Sequence, residues 1–146
     1  MPNNTQRFSD RVEDYIRYRP HYPIDVLAIL KSEYFLTPQH IVADIGSGTG
    51  ISSELFLNNE NVVYTVEPNE EMRLAAESIN KDHSNFISIN GTGECTGLPD
   101  SSIDFIISAQ SFHWLDSSLA KKEFWRILKP DGKIVLLWNE RSIDSD

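Results

Sequence analysis

Ile41-Val42-Ala43-Asp44-Ile45-Gly46-Ser47-Gly48-Thr49-Gly50 joins a short apolar run to a turn of alternating glycines, and this stretch decides the fold. Ile41 to Ile45 has the character of a strand in a parallel sheet covered on both faces, where an acid such as Asp44 is out of place unless something holds it. Gly46, Gly48 and Gly50 let the backbone take positive φ and come close to a bound molecule, and Ile51 to Leu57 resumes as a helix. A strand, a glycine turn and the amino end of a helix together make a nucleotide-type site.

The spacing narrows the kind of site. Dinucleotide enzymes carry G-x-G-x-x-G, whereas this chain reads G-x-G-x-G with an acid two residues before the first glycine. No Gly-Lys-Ser/Thr follows, which excludes a phosphate loop of the Walker kind, and the hydrolase elbow G-x-S-x-G is absent. The next apolar run, Val62 to Val66, closes on Glu67, an acid placed to accept both hydroxyls of a ribose.

Asp44 to Gly50 resembles the first motif, Asp/Glu-x-Gly-x-Gly-x-Gly, of the class I S-adenosylmethionine (SAM) dependent methyltransferases. Val66-Glu67-Pro68-Asn69 with Met72 is similar to the second motif of that family, and Gly91-Thr92-Gly93-Glu94 before Leu98-Pro99 to its adenine loop. Ala109-Gln110-Ser111-Phe112-His113-Trp114 and Tyr15-Ile16-Arg17-Tyr18-Arg19-Pro20 resemble small-molecule members of the trans-aconitate methyltransferase type. The resemblance implies SAM as cofactor, held by Asp44, Gly46, Ser47, Gly48, Gly50, Glu67, Pro68, Met72, Thr92, Gly93, Glu94 and Gln110. Glu67 would take the ribose, Asp44 would position the methionine end, and Thr92 stands where the family often has an acid for the adenine amino group. A small-molecule methyl acceptor would meet Tyr15, Arg17, Arg19, Tyr22, His113 and Trp114, with His113 the one candidate for a catalytic role. Plainer roles stand beside these: Met72 belongs to an apolar stripe, residues 112–114 could be a packed aromatic corner, and residues 17–22 a solvated basic segment.

Composition sets the outer bounds. The 146 residues, 40% of them apolar, suit one domain with one core. With 22 acidic and 13 basic residues the formal charge is −9, so no nucleic-acid partner is expected. No apolar run approaches the roughly 18 residues of a membrane span, and the amino end lacks signal-peptide character, so no membrane partner and a cytoplasmic location are expected. Cys95 is alone, which excludes an internal disulfide, and His21, His40, His83 and His113 lack metal-ligand spacing.

Along the chain, residues 1–40 read as amino-terminal helices with a segment that could fold over the glycine turn, and residues 41–146 as the SAM-binding core of a single domain. Phe8, Val12, Tyr15 and Ile16 share one helical face; Val26, Leu27, Leu30 and Tyr34 share another, in a helix ending near Pro38. Asn69 caps a helix with Glu70 and Glu71 in its first turn and the stripe Met72, Ala75, Ala76, Ile79. Phe86 to Ile89 and Ile103 to Ser108 read as strands; a helix from about Ser117 to Leu128 stops at Lys129-Pro130-Asp131-Gly132, and Lys133 to Trp138 is a fifth strand.

The alternation predicts an α/β fold, a doubly wound parallel sheet. The resemblance makes it Rossmann-like with order 3-2-1-4-5, placing the switch point between strands 1 and 4. It also implies about two further strands beyond the fifth, so the carboxyl-terminal part of that fold is read as absent here. A SAM-binding module or fragment without turnover is the alternative to an enzyme, and strand 133–138 is a candidate edge for self-association.

Overall fold

A strand apolar at every core position needs cover on both sides, and the first strand has it. Val42, Ala43 and Ile45 are fully buried. Period two sends Val42 to one face of the sheet and Ala43 with Ile45 to the other. The computed structural model describes residues 24–109 and 117–137. Their order is α1 (Ile24–Tyr34), β1 (Ile41–Ile45), α2 (Ile51–Asn58), β2 (Val62–Val66), α3 (Glu70–Ile79), β3 (Phe86–Ile89), β4 (Ile103–Ala109), α4 (Ser117–Ile127) and β5 (Leu128–Leu137).

All pairings are parallel, in the order β3-β2-β1-β4-β5 expected for the doubly wound fold. On one face Leu27, Leu30 and Leu36 join Phe56 and Leu57 of α2 over Val42, Val63, Phe105 and Ile107. On the other, Ala120, Phe124 and Ile127 of α4 cover Ala43, Ile45, Ile103 and Ile106. Each fully buried aliphatic or Phe side chain contributes about 1.5–3 kcal/mol of transfer free energy, so these two layers hold the sheet. Because α2 and α4 lie on opposite faces, β1 and β4 part at their carboxyl ends, the expected switch point. Among the described residues no helix is long and apolar enough to cross a membrane.

Several boundaries differ from the sequence reading, each for a local reason. Helix α1 ends at Tyr34, before Pro38, because Phe35 turns to φ 60 and the Leu36 N–H closes on the Leu30 carbonyl at 3.1 Å. Tyr34, read as part of the buried face, is 46% exposed, and Ile79 of the α3 stripe is 47% exposed, while Ala75 and Ala76 are buried as expected. The short α3 carries Ile79 past the surface it packs on. The helix expected to run through Leu128 stops at Ile127, and β5 starts at Leu128 rather than Lys133. Leu128 pairs with Ile103 and Lys133 with Phe105, so Lys129 to Gly132 form an irregularity inside the ladder instead of a loop before it. A Cβ on Gly132 would lie 2.5 Å from Leu128 Cδ2, which makes glycine obligatory in that bend. The Asn69 cap is as expected: its side chain accepts from the Met72 N–H at 3.0 Å.

Candidate functional site

The glycine turn leaves β1 with Gly46, Gly48 and Gly50 at φ 68, 57 and 88. It is strapped to β2, since the Gly46 and Ser47 N–H groups both donate to the Val66 carbonyl at 2.8 and 3.3 Å. Gly50 is the amino-terminal cap of α2 and no side chain caps it. Added as a Cβ, a side chain on Gly48 would meet nothing within 4 Å, so the backbone there faces open space. Ser47 and Thr49 are buried, and their hydroxyl groups make no hydrogen bond among the described residues.

Glu67, just past β2, reaches across to this turn. Its Oε1 accepts from the Gly48 N–H at 2.7 Å and its Oε2 from the Asn69 N–H at 2.9 Å. A carboxylate offers about four acceptor directions, so two remain for a ligand. The backbone supports the same place, with the Glu67 N–H donating to Ile89 and its carbonyl accepting from Arg73.

Asp44 sits behind the turn. Fully buried and facing α2, it accepts from the Ser52 and Ser53 hydroxyls at 2.6 and 2.5 Å on one oxygen, Oδ2. The motif acid thereby ties β1 to the first turn of α2. A carboxylate so buried persists in its charged form through such short, charge-assisted bonds.

The third side of the crevice is the segment that follows β3. Thr92 and Cys95 exchange backbone hydrogen bonds at 3.0 and 3.1 Å, and the Thr92 hydroxyl accepts from the Cys95 N–H at 3.1 Å. Gly91 lets this turn close on the sheet, since a Cβ there would lie 2.9 Å from the Thr96 carbonyl and 3.2 Å from Val66 Cγ1. Thr96 is fully buried, and both its N–H and its hydroxyl donate to Glu123 Oε2 at 2.8 and 2.6 Å. Arg126 completes the group with bonds to both Glu123 oxygens, Asp100 Oδ1 and the Leu98 carbonyl. The hydrogen bond from Arg126 is the main reason the Glu123 carboxyl falls from 4.5 to about 2, with those from Thr96 adding and burial opposing. Arg126 is raised in turn, first by Glu123 and then by Asp100.

Of the residues expected from sequence, Asp44, Gly46, Ser47, Gly48, Gly50, Glu67, Pro68, Met72, Thr92, Gly93 and Glu94 all lie on segments that leave the carboxyl ends of β1, β2 and β3. Pro68 is exposed and Met72 half-buried. Gln110, His113 and Trp114, like Tyr15, Arg17, Arg19 and Tyr22, lie outside the described residues. The sequence reading missed Ser52, Ser53, Thr96, Glu123 and Arg126. The pair Ser52-Ser53 was the one available signal, two hydroxyls on a helix turn that should face the sheet with apolar groups.

Comparison with known proteins agrees with this geometry. A family model described as a methyltransferase domain matches residues 43–136. An uncharacterized methyltransferase-like protein of Schizosaccharomyces pombe is 32% identical over 135 residues, 92% of this chain and 52% of the relative. The YcgJ protein of Bacillus subtilis, an uncharacterized methyltransferase, has a crystal structure that superposes with a TM-score of 0.68 at 30% identity, covering 75% of this chain and 48% of that one. A SAM-dependent methyltransferase from Aquifex aeolicus shares the fold with a TM-score of 0.74 at 24% identity, covering 99% and 78%. The chain spans about half the length of the curated relatives it matches. With the family's model covering the sheet from β1 to β5 and the glycine turn within it, the chain belongs to the methyltransferase-domain family.

Proposed function

We propose that the chain binds SAM and carries the cofactor half of a SAM-dependent methyl transfer to a small-molecule acceptor. The observation that carries this reading is the 2.7 Å bond between Glu67 and the Gly48 N–H, which makes the expected ribose acid and the glycine turn two sides of one crevice. The residues present fit the group. Two acceptor directions on Glu67 suit a ribose diol, the open space beside Gly48 admits a ligand against the backbone, and the unpartnered hydroxyls of Ser47 and Thr49 flank it. When bound, SAM supplies a methyl group on a sulfonium, ready for in-line displacement by a nucleophile. The chain's part is placement: holding the reacting atoms about 3–3.5 Å apart and aligned supplies roughly 7–11 kcal/mol of the barrier, without an obligatory base. In this reading Pro68 and Met72 flank the adenine, Thr92, Gly93 and Glu94 wall it, and Gln110 completes the cofactor side. The acceptor side falls to Tyr15, Arg17, Arg19, Tyr22, His113 and Trp114.

Calorimetric titration with SAM, S-adenosylhomocysteine and NAD tests the proposal. Binding of the first two in preference to NAD is expected; tighter binding of NAD would overturn it. Affinity without turnover on any acceptor would favour a SAM-binding module, the alternative that every described site group serving the cofactor side supports. We further propose that copies of the chain associate through β5, whose Ile134 and Leu136 are 44% and 40% exposed at one edge of the described sheet.

A further inference from the structure

Glu123 and Arg126 lie on α4, the helix that covers the sheet, and no part of the proposed cofactor role falls on them. Their bonds nevertheless run into the crevice wall. Glu123 Oε2 holds both donors of Thr96, and the Thr96 hydroxyl in turn accepts from the Leu98 N–H at 3.1 Å. Arg126 holds the Leu98 carbonyl at 2.7 Å, and its own carbonyl accepts from the Ser101 N–H at 2.9 Å. The wall's two ends are thus fixed differently. Toward β3, Gly91 closes on Thr96 and Val66; toward β4, the segment hangs on one carboxylate and one guanidinium. Between these anchors stands the Thr92–Cys95 turn, whose Thr92 hydroxyl accepts from Cys95 and keeps its proton to donate.

We propose that Glu123, Arg126 and Thr96 are positioning residues for the cofactor, setting the Thr92–Cys95 turn at the height where the Thr92 hydroxyl donates to the adenine ring. The proposal rests on the SAM-binding reading above and adds to it a specificity device. The Thr92 proton meets adenine N1, an acceptor, whereas an inosine ring carries a hydrogen at N1 and repels it. The depressed titration of Glu123 agrees, since the carboxylate that orders the wall stays charged at neutral pH. Any loosening of the Glu123 group lets the turn drift and blurs the choice between the two bases.

The test uses the full chain, with S-adenosylhomocysteine and S-inosylhomocysteine as calorimetric probes and amide hydrogen exchange as a second readout. Wild type should prefer the adenine ligand by tenfold or more. Glu123→Gln and Thr96→Val should each lose about tenfold in affinity for the adenine ligand and bring the two ligands within about threefold of each other. Thr96→Ser, which keeps the hydroxyl, should restore both values, and Trp125→Ala, an exposed change on the same helix, should leave them alone. Exchange at the Thr92 and Cys95 amides should speed by tenfold or more in Glu123→Gln while β1 stays protected. A folded Thr96→Val or Glu123→Gln with wild-type preference and wild-type exchange at these two amides would overturn the proposal. Should wild type bind neither nucleoside, the cofactor reading falls and the specificity claim with it, while the exchange result still decides whether Glu123 orders the wall.

Discussion

Glu67→Gln changes one atom of the crevice and removes its charge. In the protein as it stands, the carboxylate takes the Gly48 N–H at 2.7 Å on one oxygen and the Asn69 N–H at 2.9 Å on the other. A glutamine oxygen can keep one of these donors, but its NH2 group then faces the second, donor against donor. Charge-assisted bonds are worth about 1.5–3 kcal/mol and neutral ones about 0.5–1.5, so each bond that survives is weakened by roughly 1 kcal/mol. Without ligand the native state should lose about 1–2 kcal/mol, read as a lower urea midpoint at unchanged slope. A ribose diol draws on the two remaining acceptor directions, and both weaken together. Cofactor affinity should therefore fall by about 1–3 kcal/mol, roughly 5- to 150-fold in Kd. Calorimetry with S-adenosylhomocysteine at fixed salt, alongside circular dichroism to show that the variant is folded, measures this directly. A Kd within twofold of wild type would refute the reasoning and move the ribose elsewhere.

Two glycines should fail in opposite ways: Gly48→Val, with open space beyond its Cβ, should stay folded at a strain cost of about 1–2 kcal/mol yet lose cofactor binding, whereas Gly91→Ala, 2.9 Å from the Thr96 carbonyl, should lower the melting temperature first. Thermal scans paired with titrations separate the two. The Glu123 carboxyl, held at about 2 in the folded chain against about 4.3 when unfolded, contributes stability that is full above the unfolded value and lost as pH falls from about 4.5 toward 2. The loss should be on the order of 2–3 kcal/mol, and urea titrations at stepped pH should show it shrink in Glu123→Gln. Residues 1–146 should appear in light scattering as a species larger than a monomer, and Leu136→Lys at the β5 edge should reduce it; a monodisperse wild-type monomer would count against the edge.

How far the sequence reached can be traced residue by residue. Strand β1 was legible because both of its faces are covered, leaving an unbroken apolar run, and the glycine turn because no other residue takes φ 57 or 88 readily. Glu67 was legible because it interrupts apolar character at a strand's end. The Glu123–Arg126 pair was not, since an acid three residues before a base on a helix looks like a solvated ion pair. What makes it different is Thr96, 27 residues away, and no local pattern announces a contact at that separation. The segment Lys129-Pro130-Asp131-Gly132 misled in a more instructive way. Its turn chemistry is real, but the ladder from Ile103 to Phe105 absorbs the turn as a bulge, so a correct local signal marked the wrong boundary.

Asp44 and Glu67 show why residue type and motif position underdetermine a role. Both are carboxylates near the end of a parallel strand, on adjacent strands, and the sequence reading gave both to the cofactor. Asp44 precedes the last residue of β1, so the pleat turns it into the layer beneath α2, where water is excluded and a charge must be met by protein donors. Ser52 and Ser53 supply them, and the helix that carries the glycine turn is locked to the strand that feeds it. Glu67 lies one residue past the end of β2, where the sheet no longer covers it, and its carboxylate stops at the rim with acceptor capacity to spare. A shift of two positions relative to the strand end thus separates an acid that builds the crevice from one that reads its contents. The fully buried Asp44 reaches a ligand through α2 and the turn, and the half-buried Glu67 reaches it by contact.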